Sequence, residues 1–547
     1  MKMFLRYCLV AFVAHAGLHA VVRCQDQSTQ QQSQEPPKLE IPEITIVGKK
    51  AITLPFARKG ELFDNDLYQA PPPDSSLLVQ SNSMVLLKGT LPRYEQQEQP
   101  WRWSVEGLLG SFSRYGGRGF VDYHSQRWNM SGDLGGQSTD GHVTNANASL
   151  FSGSVNASTT LSTDNSILKS LDASFGGGFQ HQTYGLFGIT SSEVRRKLTT
   201  LSFHANLFSI NRQYNALDAG MKADATSLSD TYGGADSSVS ALSPKLFASY
   251  FTTVHRVKIS GEISYIGSSL DYQHTAQSPS MTGIILKTSW QTSADFSIEV
   301  GGKYLQGTHS AGEDRTLTVP VGSLLWQRDS VVALSVWFEP DMEFHTYNSL
   351  LSTVPYIDRE MVIDPQRMPV RFGSSVHYRS GALSFDVRGS YASFSNHELM
   401  IADSGRIHLE YAEAKGTRLD VDGEFNPSTG VRISGGGSVV SAHESGSSVQ
   451  LPMVPLISLR GRAELDGPLF TTFWSSAEYQ SSRNVDRAGT QSLKDYVLLN
   501  AGVSFHAIPR LVLNADVFNV FDTSYEWWSG YRAPGINFTV GAKLHLQ

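Results

Sequence analysis

The stretch RVKISGEISY (residues 256–265) alternates without a break. Val257, Ile259, Gly261, Ile263 and Tyr265 share one face, and Lys258, Ser260, Glu262 and Ser264 the other. Side chains of an extended strand point to opposite sides in turn, so this pattern marks a strand with one apolar and one polar face. LSFDVRGSY (residues 383–391) repeats it, with Leu383, Phe385, Val387, Gly389 and Tyr391 against Ser384, Asp386, Arg388 and Ser390. In TRLDVDGEF (residues 417–425), Leu419, Val421 and Phe425 oppose Arg418, Asp420, Asp422 and Glu424. A soluble sandwich also alternates, but these segments run about ten residues, the length of a tilted membrane strand. Aromatic residues recur at strand ends, as in an interfacial girdle, and short turns alternate with longer polar loops.

Tight turns are expected near Gly116, Gly153, His255, Ala294, Asp329, Ser380–Gly381, Asn426, Asp466 and Ala507, mostly from Gly, Pro, Asn and Asp chemistry. Their usual spacing of about 35 to 50 residues fits two strands and one long loop. The gap from Gly153 to His255 leaves room for a further turn. The expectation is an all-β fold, a transmembrane antiparallel β-barrel of about 22 strands.

Composition agrees. Charged residues make up 17% of the 547 residues, against about 25% in an average soluble domain, while mean hydropathy stays slightly negative. The net charge of -7 is spread along the chain. No basic patch interleaved with aromatics points to nucleic acid. No stretch beyond the N-terminus is long and apolar enough for a helical span, which leaves a closed barrel as the membrane option.

The first 24 residues read as a signal peptide: Lys2 and Arg6, an apolar core, then small residues at Ala14, Ala16 and Ala20. Cys8 lies inside it and Cys24 at its end, so the mature chain has no cysteine pair to bridge. Residues 25–77 follow as an extended periplasmic segment that begins with a Gln/Ser/Pro-rich tract of disordered composition. The barrel is expected over residues 78–547, starting near Leu78.

Catalytic motifs are missing. There is no nucleophile elbow, phosphate-binding glycine loop or His-Glu-x-x-His run. The histidines, among them His124, His142, His255 and His345, lack ligand spacing. Asp358 and Asp364 fall in a long segment between strands and read as loop charges. The expectation is no enzyme, no cofactor and no metal. Trp101 and Trp103, like Trp527 and Trp528, read as interfacial anchors, with a sugar platform as the other reading of Trp527 and Trp528.

The last hundred residues carry the most specific signal. LPMVPLISLRGRAEL (residues 451–465), then VFNVFDTSYE (517–526), then GYRAPGINFTVGAKL (530–544) resemble, in that order, the C-terminal barrel of TonB-dependent outer-membrane receptors. In the closing strand Ile536, Phe538, Val540, Ala542, Leu544 and Leu546 line up on one face. Family members usually end on an aromatic residue read by the barrel-assembly machinery, whereas this chain ends Leu546-Gln547.

The resemblance implies an integral outer-membrane protein of Gram-negative type, in contact with membrane lipid, that takes up a scarce solute of siderophore, vitamin or oligosaccharide class. It also implies a TonB partner. EITIVG (residues 43–48) is similar to a Ton box, with Glu43, Ile44, Thr45, Ile46 and Val47 pairing by strand addition. The family places a globular plug after this box. Here only about thirty residues separate it from Leu78, with Pro55, Pro71, Pro72 and Pro73 and no core pattern, so a plugless relative is expected. A barrel of this width leaks unless something fills it. The candidates are the outer loops, the N-terminal segment (Arg58, Lys59 and Glu61 against lumen charges) or a partner. A plugless porin-like or partner-gated passive channel is the alternative to energy-coupled uptake. An outer-membrane enzyme, for which the motifs are missing, or a surface-binding scaffold is the third reading.

Overall fold

The structure, a computed structural model, describes residues 101–546 except 126, 163–169, 190–192, 210–214, 273–275, 311–313, 330 and 404. The expected signal peptide, the periplasmic segment with its Ton box-like run and the start of the barrel near Leu78 lie outside the described residues.

Strands β1 (Trp101–Gly110), β2 (Arg114–His124), β3 (Trp128–Thr139), β4 (Ala148–Ser162), β5 (Ser170–Gly185), β6 (Val194–Ser209), β7 (Asn215–Tyr232) and β8 (Ala235–Val254) open the sheet. Then come β9 (Val257–Gly267), β10 (Ser280–Gln291), β11 (Phe296–Thr308), β12 (Asp314–Arg328), β13 (Val332–Phe338), β14 (Gln366–Ser380) and β15 (Leu383–Asp403). The ring continues with β16 (Arg406–Ser428), β17 (Val431–Glu444), β18 (Ile457–Asp466), β19 (Thr471–Gln480), β20 (Tyr496–Ile508), β21 (Leu511–Phe518) and β22 (Asn537–Leu546). Each pairs antiparallel with the next, and β22 pairs back onto β1, closing a barrel of 22 strands. Closure leaves no strand edge unpaired, which is what a sheet in lipid requires. No helix among the described residues is long and apolar enough to cross a membrane.

The two ends differ. Near one end β8 and β9 are joined by residues 255–256, β14 and β15 by 381–382, β16 and β17 by 429–430, and β20 and β21 by 509–510. The opposite end carries the connections 339–365, 445–456, 481–495 and 519–536. Short turns face the periplasm and long loops the outside in barrels of this kind. Strand lengths agree, because β15 has 21 residues and β16 has 23, while about ten suffice to cross the bilayer. Their upper halves therefore stand above the membrane.

The period-two segments lie as strands in register. Ile263 pairs with Ile284, and Val387 with Val376 and Val421, on a face whose large apolar side chains are exposed; lipid covers this face. The other face is charged and pairs with itself. Lys287 on β10 and Lys303 on β11 hold Glu339, each at 3.1 Å. Lys303 also holds Asp341 at 2.9 Å, and Arg371 on β14 reaches Asp341 at 3.4 Å. Trp101, Trp103, Trp128, Trp290, Phe473 and Phe505 are exposed toward the short-turn end, a girdle at the inner membrane surface. Trp103 stands directly opposite Leu546.

Two expected turns are strand interior. Gly116 lies within β2, opposite Leu108 and Gln137, and Gly153 within β4, opposite Leu134 and Phe179. A Cβ on Gly153 would sit 2.9 Å from the Phe179 ring, and one on Gly116 2.9 Å from the Gln137 Cβ. These glycines make room for neighbouring side chains rather than for a bend. The chain reverses instead after β2, β4 and β6.

Candidate functional site: the outer mouth

Between β13 and β14 the chain makes its longest excursion, residues 339–365. A short helix, α1 (Tyr347–Thr353), begins where the Thr346 hydroxyl accepts from the Ser349 amide at 3.3 Å. It ends at Val354 because Pro355 disfavours helical geometry in the residue before it. Tyr347, Leu350 and Leu351 are buried.

Beyond α1 the chain forms a strap. Tyr184, at the outer end of β5, donates its hydroxyl to the Pro355 carbonyl at 2.8 Å. The Arg196 guanidinium on β6 donates to the carbonyls of Pro355 and Ile357 at 2.8 and 2.7 Å, and to both carboxylate oxygens of Asp230 on β7 at 2.7 and 2.8 Å. Ile357 then pairs with Ile407 on β16, whose carbonyl accepts from the Asp358 amide at 2.7 Å. Strands β6 and β16 stand ten places apart in the ring of 22, close to a diameter. Four residues reach no further than about 14 Å, so the outer ends of these two walls lean together here and residues 355–358 bridge them at the mouth. The strap is fixed further on by Tyr272, which donates to the Met361 carbonyl at 2.7 Å, and by Tyr411, which donates to the Val362 carbonyl at 3.1 Å. Burial pushes the Tyr184 phenol up to about 12, against the pull of Arg196, and burial likewise raises Tyr272 to about 12. Both stay protonated donors.

Other loops meet over the strap. The Gly188 carbonyl, after β5, lies so close to Gly405, before β16, that a Cβ at 405 would come within 2.0 Å of it. Tyr531 stacks on Tyr356, with ring centroids 3.8 Å apart, and donates to the Gly405 carbonyl at 2.8 Å. Trp527 and Trp528 are buried in the same cluster. They are neither interfacial anchors nor an exposed sugar platform, because the loop 519–536 folds inward and spends their apolar surface on the closure. Asp358 and Asp364 lie on the strap-bearing loop, 3.4 Å from His408 and 3.1 Å from His309. His345, on the same loop, holds Glu398 of β15 at 2.7 Å.

In the closing strand Phe538, Val540, Leu544 and Leu546 are exposed on β22, and Ile536 just before it is exposed too. Glu43, Ile44, Thr45, Ile46 and Val47 lie outside the described residues. Among the described residues no group of three or more His, Cys, Asp or Glu is placed to hold a metal ion. Sequence reasoning missed the strap; the signal available was a long connection carrying Thr346 as a cap and the apolar Leu350, Leu351 and Val354 close behind it.

No family model matches the chain, and no curated protein matches it in sequence. Solved structures do. The FrpB iron transporter from Neisseria meningitidis superposes with a TM-score of 0.67 at 10% identity, over 83% of this chain and 82% of that one. The copper transporter OprC gives 0.64 at 11% identity, over 82% and 80%. The ferric yersiniabactin uptake receptor FyuA from Yersinia pestis gives 0.61 at 12% identity, over 83% and 81%. At these identities the likeness is one of fold. The chain carries a closed 22-stranded antiparallel barrel of the fold seen in these transport and uptake proteins.

Proposed function

We propose that the protein is an outer-membrane receptor for energy-coupled uptake of a scarce small solute, and that its own outer loops keep the mouth shut between transport events. The observation that carries this is the strap tied to Arg196 on one side and Ile407 on the other. A passive pore needs an open path, and opposite walls pinned together by a strap at the mouth obstruct one. The fold shared with an iron transporter and a ferric yersiniabactin uptake receptor supports the uptake reading. Residues 43–48 would supply the strand that TonB captures, so that pulling on a periplasmic tether reaches the barrel.

The test deletes residues 43–48 and follows accumulation of radiolabelled ferric siderophores in cells relying on this protein alone. Accumulation should fall to background while barrel yield stays the same. Uptake unchanged by the deletion, together with free passage of small sugars in a liposome-swelling assay, would favour the passive channel instead.

A further inference from the structure

The most exposed large apolar side chains among the described residues are Leu469, 79% open, and Phe470, 77% open. They form the tip of the turn between β18 and β19, at the short-turn end of the barrel. Both have positive φ, +58° and +59°. A tight hairpin accepts this left-handed geometry most readily from Asn-Gly, and a bulky residue there is strained. The turn itself does not depend on these side chains. The Pro468 carbonyl accepts from the Thr471 hydroxyl at 2.7 Å, and the His506 ring donates to the Phe470 carbonyl at 3.2 Å. Two large apolar groups are therefore held out on a strained backbone, uncovered by the described chain. Strain of this kind persists where it serves a contact, and exposed apolar surface marks where that contact falls.

Register fixes the depth of the tip. Thr471 pairs with Phe505 of the aromatic girdle, so Phe470 lies one residue beyond the girdle and Leu469 two. A strand tilted near 40° advances about 2.5 Å per residue, which puts the tip roughly 5 Å past the girdle. The headgroup layer on each side of the hydrocarbon core is about 5–7 Å deep. The tip thus falls inside that layer and not in the water beyond it. Its apolar surface is also continuous with the lipid face. Leu465 and Phe473 pair just above the turn, both exposed, and Ile508 is exposed on the next periplasmic turn beside exposed Arg510. Asp466, at the head of the turn, accepts from the Thr472 hydroxyl at 3.0 Å, so the hairpin itself engages that carboxylate. We propose that Leu469 and Phe470 form a prong seated in the headgroup layer of the periplasmic leaflet, fixing the lower rim of the barrel at that depth. Apolar side chains gain on leaving water for this boundary, and that gain offsets the strain of the turn. The inference needs a membrane around the barrel but no particular cargo, so it stands apart from energy-coupled uptake.

The test uses the full chain with Cys8→Ser and Cys24→Ser, and one new cysteine at a time: Leu469→Cys, Phe470→Cys or Ile508→Cys. Each carries a nitrobenzoxadiazole label. The barrels are folded into vesicles of phosphatidylethanolamine and phosphatidylglycerol, with heat-resistant gel migration confirming closure. One batch contains lipid brominated near the headgroup end of its chains, and another contains iodide on both sides of the membrane. Brominated lipid should quench the labels at 469 and 470 more strongly than iodide does. Iodide quenching that equals or exceeds it would put the tip in water, and quenching by neither would mean that polypeptide covers the tip. Either result overturns the prong. A second arm replaces the pair by Leu469→Asn with Phe470→Gly, which suits the turn and removes the apolar groups. The Ile508→Cys label should then lose part of its quenching by brominated lipid, and unchanged quenching there also overturns the proposal.

Discussion

Arg196 and Asp230 face each other across β6 and β7 as a two-pronged pair, and the same guanidinium carries the strap on its remaining nitrogen. Burial opposes the arginine charge, but the hydrogen bonds to Asp230 outweigh it and raise the arginine above its ordinary range. Wall and strap thus form one hydrogen-bonded unit. Asp230→Asn would leave a buried cation without its counter-charge, a cost of about 3–5 kcal/mol, concentrated where the strap is attached. Trypsin cleavage after Arg359 on intact cells should accelerate at least about tenfold, since that rate follows the population of the loosened loop. Arg196→Lys should act similarly, because an ammonium cannot fork to both oxygens. An unchanged cleavage rate would mean that the pair does not hold the strap.

Gly405 sits at φ +77°, and its missing side chain is what allows the Gly188 carbonyl so close. Gly405→Val should push the two loops apart and let small antibiotics through, read as increased sensitivity of the cells. Gly381→Val is the control. It too has positive φ, +53°, but stands in open space on a periplasmic turn, so it should cost backbone strain without opening the mouth.

Lys303 is almost wholly buried between Glu339 and Asp341. Lys303→Met leaves those carboxylates sharing Lys287 and Arg371, and should destabilise the barrel by about 3 kcal/mol. The apparent unfolding temperature in detergent should drop by several degrees. Arg328→Gln, which removes a well-exposed pair with Asp329 on a turn, should leave that temperature within error.

His397 lies fourteen residues above the start of β15, beyond the ten or so that span the bilayer. Burial first, and the His345 charge second, lower it from 6.5 to about 3. A group depressed in the folded state contributes its full stability above the unfolded pKa, near 6.5, and loses it as pH falls toward 3. At pH 4.5 the deficit is on the order of 2 kcal/mol. Thermal melts at pH 7 and pH 4.5 should differ less in His397→Asn than in the wild type. An equal acid shift in both proteins would place the acid sensitivity elsewhere.

Much of the barrel was legible because one physical rule, lipid outside and charge inside, acts on every strand. Ile259 and Ile263 in one strand, Phe385 in a second and Val421 in a third each reveal that rule together with their immediate neighbours. The turns at Gly116 and Gly153 were misread because a glycine that yields space to Phe179 or Gln137 looks, in sequence, like one that bends the chain. The mouth was illegible for another reason. Pro355, Ile357 and Tyr531 acquire their roles from Arg196, Ile407 and Gly405, which lie far away in sequence, and no local pattern encodes such partners. Trp527 and Trp528 were misplaced accordingly, since a tryptophan pair near a strand end suits an interface as well as a folded loop.

The strap itself is tested most directly by disulfide trapping. Ile357 and Ile407 are bridge partners, at the Cα separation of about 5 Å that a disulfide accepts. The native cysteines, Cys8 and Cys24, both lie in the N-terminal region and can be replaced. With cysteines at 357 and 407, mild oxidation of the protein in native membranes should link the loop to β16 nearly completely, seen as a fragment pair held together after cleavage at Arg359. A pair that stays reduced, while cysteines placed at the adjacent strand positions Val387 and Val421 become linked, would contradict a strap across the mouth.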